Sequence, residues 1–347
     1  MRELRLRKSV VAPLAVVVAL IAGLGIWSGV NGDSEGSAGK VTEMTVYSGR
    51  SEEFIAPFLA KWESESGITL NVRYGDSAEL AAQILEEGEN SPADLFLSQD
   101  AGSLGAVAAA GLFTELPESV GSEIEKEYVA KDRSWVGVTG RARVFAYRPG
   151  AIAQSPRSVA DLTRPIYRGQ VGIAPSNASF QAFVTAMINE KGEKFAKDWL
   201  IAMKANDAKI FLKNSAIVEA IDKGEISLGL VNHYYIWEVS EALGRSIKVE
   251  NGYFAPGDLG NLVNVSGVGV LKTSEKKGAA EELINFLTAK PAQISFVEDT
   301  HEYSLISGVK NPDGLPAIKD FGSPRVDLSS LENIKKTQDL LVAVGLL

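Results

Sequence analysis

The sequence predicts an α/β protein whose mixed, mainly parallel sheets are divided between two lobes. Strand-like runs alternate with helix-like runs along most of the chain, which is the pattern of parallel βα units. The 347 residues are more than one hydrophobic core usually organises, and no internal repeat or low-complexity tract breaks the alternation. A content of 45% hydrophobic and 23% charged residues supplies a large core under a solvated surface.

Residues 1–40 stand apart from this pattern. Arg2, Arg5, Arg7 and Lys8, offset only by Glu3, precede an uncharged, apolar run over 9–32. Such a run enters a membrane, either as a signal peptide that is removed or as a signal-anchor that stays. Pro13 and the late glycines weaken the membrane helix, no clean A-x-A cleavage site is visible, and a chain without cysteine has no lipoprotein anchor. Both readings put the body outside the cytoplasm, since the basic residues stay inside. The polar stretch NGDSEGSAGK then reads as a flexible linker.

The folded part opens with a strand over 44–47, which runs through Ser48-Gly49-Arg50-Ser51 into a helix over about 52–66. Small residues there leave backbone N–H groups at a helix N-terminus, an anion site that Arg50 reinforces; a Ser N-cap with nothing bound is the plainer reading. A strand over 69–73, a helix over 77–87 and a strand over 94–98 follow. The last ends in Gln99 and Asp100 before an Ala-rich helix over 104–110. The run 135–147 is extended and sets Arg141 and Arg143 on one face. A strand over 171–174 ends in Pro175-Ser176-Asn177-Ala178-Ser179, before a helix that begins near Phe180. Helices over about 193–203 and from about Asn214 to 223 lead to a strand over 226–231. A strand over 267–271, a helix over 276–289 and a largely helical tail over 328–344 complete the chain.

The strand over 226–231 runs out through Asn232, His233, Tyr234 and Tyr235. Open α/β sheets bind ligands outside the carboxyl ends of their strands, so these four residues are well placed for a cleft. Paired phenols are hard oxygen donors, yet a free pKa near 10 means that only a strongly polarising cation such as Fe³⁺ keeps two of them ionised at neutral pH. Packing and hydrogen bonding at a strand end is the alternative, since Tyr favours strands for that reason. If the strand persists, His233 points away from Tyr234 and is structural.

Composition narrows the function further. A net charge of −9 without a basic run excludes a nucleic-acid surface. The absence of cysteine removes disulfides, zinc-thiolate and Fe–S sites and a Cys nucleophile, leaving His233 and His301 for imidazole chemistry. No G-x-S-x-G elbow joins a strand to a helix, the one such spacing falling in the linker at 32–36, and no G-x-x-x-x-G-K loop is present, so an enzyme reading has little to work with.

The stretches YSGRSEEF, SPADLFLSQDAGSL, VTGRARVFAY, APSNASFQAF, KNSAIVEAIDKGEISLGLVNHYY and SGVGVLKTSEKKGAAEELINFL resemble the ferric-iron-binding proteins of bacterial ABC importers, collinearly over residues 41–347. The resemblance implies a periplasmic-binding-protein fold with two crossing hinge strands (type II), a monomer that closes over Fe³⁺ and delivers it to an ABC permease. The implied lobes are 41–140 with 265–309, and 141–264 with 310–347. Tyr234 and Tyr235 match the family's phenolate ligands, and Asn232, Asn214 and the Asn177-Ala178-Ser179 turn match its contacts to a bound anion. The family's His and Glu ligand positions are Ser51 and Gln99 here, and the place of a third tyrosine in some relatives reads Ser179-Phe180.

Fe³⁺ takes six hard donors, so carbonate, phosphate, another anion or a small chelator has to complete the sphere. Asp100 is one more oxygen nearby in sequence. Arg50, Arg141 and Arg143 offer planar forks for the anion, with an ordinary ion pair as the plainer use of each. Capture by hinge closure is therefore the expected function. The alternative within capture is a small anion, phosphorylated metabolite or organic cation held in the same cleft without metal.

Overall fold

Apolar strands followed by helices that return the chain across the sheet leave little choice but parallel βα crossovers. The computed structural model of the protein describes residues 41–347; the expected signal segment and linker lie in 1–40, outside them. β1 (Glu43–Ser48), α1 (Glu52–Ser66), β2 (Thr69–Tyr74), α2 (Ser77–Glu87), β3 (Leu95–Ser98) and α3 (Ala101–Ala109) come first, with β1 parallel to β2 on one side and to β3 on the other. β4 (Val136–Tyr147) leads out of this group. β5 (Val171–Ile173), α4 (Ala178–Lys191), α5 (Glu193–Ala205), β6 (Lys209–Ile210), α6 (Asn214–Lys223) and β7 (Leu228–Asn232) repeat the plan, β5 pairing in parallel with β6 and β7. α7 (Tyr235–Ala242), β8 (Glu250–Gly252), β9 (Val263–Val270), α8 (Lys277–Thr288), α9 (Lys290–Thr300), α10 (Ile318–Phe321) and α11 (Ile334–Ala343) complete the order.

Two strands join the groups, and both are buried almost throughout. β4 pairs with β9 from Val136 to Ala142, with a register shift between Gly137 and Thr139, and then with β7 from Arg143 to Tyr147. β9 in turn pairs with β3 from Gly267 to Val270. All of these pairings are antiparallel, as is that of β4 with β8, so one strand runs against an otherwise parallel group on each side. β4 and β9 are the two crossing strands of the expected fold. After α9 the chain touches β4 again through a Gly140–Tyr303 bridge, and its tail packs α11 on α4, where Thr185 Oγ1 and Thr337 Oγ1 lie 2.7 Å apart.

The cores explain why the helices sit where they do. Phe58 and Trp62 of α1, Leu283 of α8 and Phe296 of α9 bury against Leu97 and Val268, with the Phe58 and Phe296 rings stacked 3.9 Å apart. Each such side chain contributes about 1.5–3 kcal/mol through burial. α4 is buried along its whole middle from Ser179 to Ile188 and forms the centre of the second group. A close approach at Gly229 brings α6 onto β7: a Cβ there would stand 2.3 Å from Ile217 Cγ2.

The differences from expectation are local. α3 starts at Ala101 because Asp100 caps it, accepting from Ser103 N at 2.8 Å. α4 starts at Ala178 because Asn177 caps it in the same way through Ser179 N. Three helices, α7, α9 and the short α10, were not expected at all; none has a side-chain N-cap to announce it.

Candidate functional site

The carboxyl end of β7 meets the middle of β4. Asn232 is buried and pairs in register with Arg143. His233 Nδ1 accepts from Ala142 N at 3.1 Å, which places the proton on Nε2, and Nε2 donates to the His301 carbonyl at 2.7 Å. Burial drives its pKa down to about 4, so the ring is neutral and clamps the strand end, as a structural histidine would.

The chain then turns helical at Tyr234 (φ −74, ψ −17) and enters α7 at Tyr235. This turn puts the two phenols side by side, their rings stacked 4.5 Å apart at 28°. Both are half-buried. Burial, reinforced by the Tyr234 hydroxyl, holds the Tyr235 phenol well above its ordinary value, so without a ligand it keeps its proton.

Around the pair lies a set of polar groups with open bonds. Arg143 is 2% exposed and donates from Nη1 to Ser179 Oγ at 3.0 Å, but its Nε and Nη2 have no protein partner. Burial lowers its pKa to about 10, and the nearby Tyr235 and Tyr234 oppose that shift. Ser179 Oγ donates to Asn177 Oδ1 at 2.5 Å, and Asn214 Nδ2 reaches Asn177 Oδ1 at 3.2 Å and Ser179 Oγ at 3.3 Å. The Asn214 Oδ1 atom has no partner. Arg141 is 1% exposed with Nε and Nη2 unpartnered, and among the described residues it makes no ion pair. Buried, unpaired guanidinium nitrogens are costly unless something else binds them, and an anion is what they fit.

The structure thus gathers Tyr234, Tyr235, Arg143, Asn177, Ser179 and Asn214, with Ala178 as the first helical residue between the latter groups and Asn232 at the strand end beside them. The other expected residues sit at the ends of β1 and β3. Ser51 is exposed at the start of α1 with no capping bond. Gln99 is half-buried, its N–H donating to Ser77 Oγ at 2.8 Å. Asp100 is buried with both oxygens engaged by Ser103, at 2.8 Å and 3.0 Å, so it serves as a helix cap. Arg50 pairs with Glu302 at 3.0 Å and lies 3.6 Å over the Phe54 ring, leaving Nε and Nη1 open. Sequence reasoning missed Glu302 altogether; its partner is 252 residues away and no spacing signals the pair. Among the described residues no group of three or more His, Asp or Glu gathers as a metal site.

Residues 90–320 match the family model of the bacterial extracellular solute-binding proteins. The chain belongs to this family. It is 33% identical over 308 residues to an Fe(3+)-binding periplasmic protein of Serratia marcescens, covering 88% of this chain and 90% of that one. Among solved structures it is similar to iron-bound HitA from Pseudomonas aeruginosa, with a TM-score of 0.81, 30% identity, and coverage of 88% and 99%. It is similar also to a Trichodesmium protein in complex with iron and citrate ligands, with a TM-score of 0.75, 26% identity, and coverage of 87% and 99%. The fold is accordingly the two-lobe type II form, with β4 and β9 as its crossing strands. Among the described residues of this solute-binding protein no helix is long and apolar enough to cross a membrane.

Proposed function

We propose that this solute-binding protein captures ferric iron with a small anion or chelator outside the cytoplasm and hands it to an ABC permease. The observation that carries the reading is the stacked Tyr234–Tyr235 pair at the end of β7, beside a buried Arg143 with two nitrogens unpartnered. The phenols supply two hard, charged oxygens. The anion fills the remaining places and rests on Arg143, Arg141, Asn214, Ser179 and the N-terminus of α4 behind Asn177 and Ala178. Asn232 shapes the strand end. Ser51, Gln99 and Arg50 face the ligand from the other side as the lobes close, and Asp100 holds α3 in place.

The lobes in this reading are 41–140 with 265–309 and 141–264 with 310–347. The return of β9 to β3 and the packing of α11 on α4 support that division. Closure is a rotation about β4 and β9, with the protein acting as a monomer. The leader over 1–40 either anchors the protein or is removed. Protein from the host that begins between about residues 28 and 40 and is soluble would establish removal.

Iron binding at phenols is coupled to proton release. Since Tyr235 keeps its proton when unliganded, affinity rises with pH and acid expels the metal. Titration with Fe³⁺ and bicarbonate tests the reading: a phenolate-to-iron charge-transfer colour should develop at neutral pH and fade on acidification. A protein that stays colourless refutes it.

A further inference from the structure

The run that follows α9 plays no part in the capture reading, yet it is bonded to a crossing strand and to the segments that carry Arg50 and the tyrosines. His301 ends α9 with a left-handed backbone (φ 56, ψ 18), a conformation costly for residues other than glycine and concentrated at functional positions. Its carbonyl accepts from His233 Nε2, next to Tyr234, at 2.7 Å. Its ring lies nearly flat on Trp237 of α7, with centroids 4.9 Å apart at 26°, and its Nε2 is 3.8 Å from Glu241 Oε1 one turn further along. The next residue, Glu302, is fully buried and joins Arg50 Nη2 at 3.0 Å to Thr139 Oγ1, which stands 2.5 Å from Ser266 Oγ. Tyr303 then exchanges both backbone bonds with Gly140 at 2.8 Å and 2.9 Å.

These partners belong to different elements. Arg50 lies in the turn after β1, Thr139 and Gly140 on one crossing strand, Ser266 on the other, and His233, Trp237 and Glu241 on the segment that bears the tyrosines. A three-residue run that bonds one crossing strand directly, the other through Thr139, and both cleft edges ties those edges to the hinge about which they turn. The salt bridge within it is dry, so breaking it leaves an unpaired buried charge and the arrangement resists drift.

Building on the iron-capture reading, we propose that His301 and Glu302 are positioning residues for the ferric site. They hold α7, and with it the phenol pair, in a set relation to the Arg50 turn. They thereby govern how fast captured iron leaves without touching it. The stack of His301 on Trp237 is the part of this grip that can be removed most cleanly, since Asn also tolerates the left-handed backbone and keeps the carbonyl that His233 needs.

The test uses the full chain loaded with Fe³⁺ and bicarbonate. Wild type, His301→Asn, Trp237→Ala, Trp237→Phe and the His301→Asn/Trp237→Ala double variant are compared by the charge-transfer band, by the rate of iron loss to excess citrate, and by the melting temperature before loading. Each stack-breaking single variant should release iron about three- to tenfold faster, the worth of one aromatic pair, with a shifted band and a melting temperature close to wild type. Trp237→Phe should restore wild-type release. The double variant should be no faster than the faster single, because both remove the same contact. A coloured wild type whose variants keep its band and release rate overturns this inference alone. A colourless wild type overturns the capture reading and takes this inference with it.

Discussion

The strand ends of β1 and β3 and those of β5 and β7 are built by the same βα logic, yet they dispose of their polar groups differently. At β1 and β3 the hydroxyls and the Asp100 carboxylate are used up internally, while Arg50 keeps two nitrogens open beside its bond to Glu302. Ser48 Oγ donates to the Arg50 carbonyl at 3.1 Å, Ser98 Oγ to the Asp100 carbonyl at 2.9 Å, Ser77 Oγ accepts from Gln99 N, and both oxygens of Asp100 are engaged by Ser103. At β5 and β7 two nitrogens of Arg143 and the Asn214 oxygen are left without partners, close to the stacked phenols. Buried polar atoms without partners are uncommon in native proteins because each costs free energy, so those of Arg143 and Asn214 beside the phenol pair suit a ligand there.

The sharpest way to break this contrast is to remove a phenol oxygen. Tyr235→Phe keeps the ring and its stack on Tyr234, so stability should fall by only about 0.5–1.5 kcal/mol, the worth of one hydrogen bond. Iron affinity should fall by more than the roughly 10- to 100-fold typical of losing an outer-shell partner. Tyr234→Phe should behave alike. A citrate-competed ferric titration alongside thermal melting checks both; unchanged iron affinity with a lowered melting temperature would mean that the pair only packs.

A smaller effect of opposite sign is expected at the other edge. Gln99 follows β3 on that edge, half-buried and with its side chain free of any bond among the described residues. Gln99→Glu adds a hard anionic oxygen at nearly constant volume, which Fe³⁺ prefers to a neutral amide. Iron should bind roughly tenfold more tightly, with less dependence on added bicarbonate or citrate. If affinity is unchanged or weaker in the same titration, the closing edge does not reach the metal.

Much of this arrangement was legible from residues alone. α1 and α2 fall at 52–66 and 77–87 as periodicity predicted, since each has apolar residues on one stripe and a glycine just beyond its end. The tyrosine pair was legible because two phenols at a strand end are chemically unusual. α7 was not, because an apolar strand that turns helical within one residue carries no cap to mark the change. The division of labour between the edges was also hidden: Asp100 looks like a free carboxylate in sequence and becomes a cap only because Ser103 follows one turn later. Glu302 and His301 make their contacts with residues far off in sequence, which local pattern does not encode.

The smallest expected effect concerns Asp100, and it tests whether that edge is indeed occupied by its own structure. The carboxylate caps α3 through Ser103 N and Ser103 Oγ, while burial pushes its pKa up against the pull of those bonds and of Arg141. Asp100→Ala should therefore destabilise the protein by about 0.5–2 kcal/mol, the range for losing an N-cap. Asp100→Asn retains an acceptor for Ser103 N and sheds a charge that is expensive to bury, so it should recover most of that loss. Neither change should alter iron affinity by more than about twofold, because the oxygens they remove point into the helix start and not into the cleft. Melting curves and the ferric titration on the same three proteins separate the two roles. An iron affinity that collapses in Asp100→Ala while the melting temperature holds would make Asp100 a ligand, and the two edges would then share the binding.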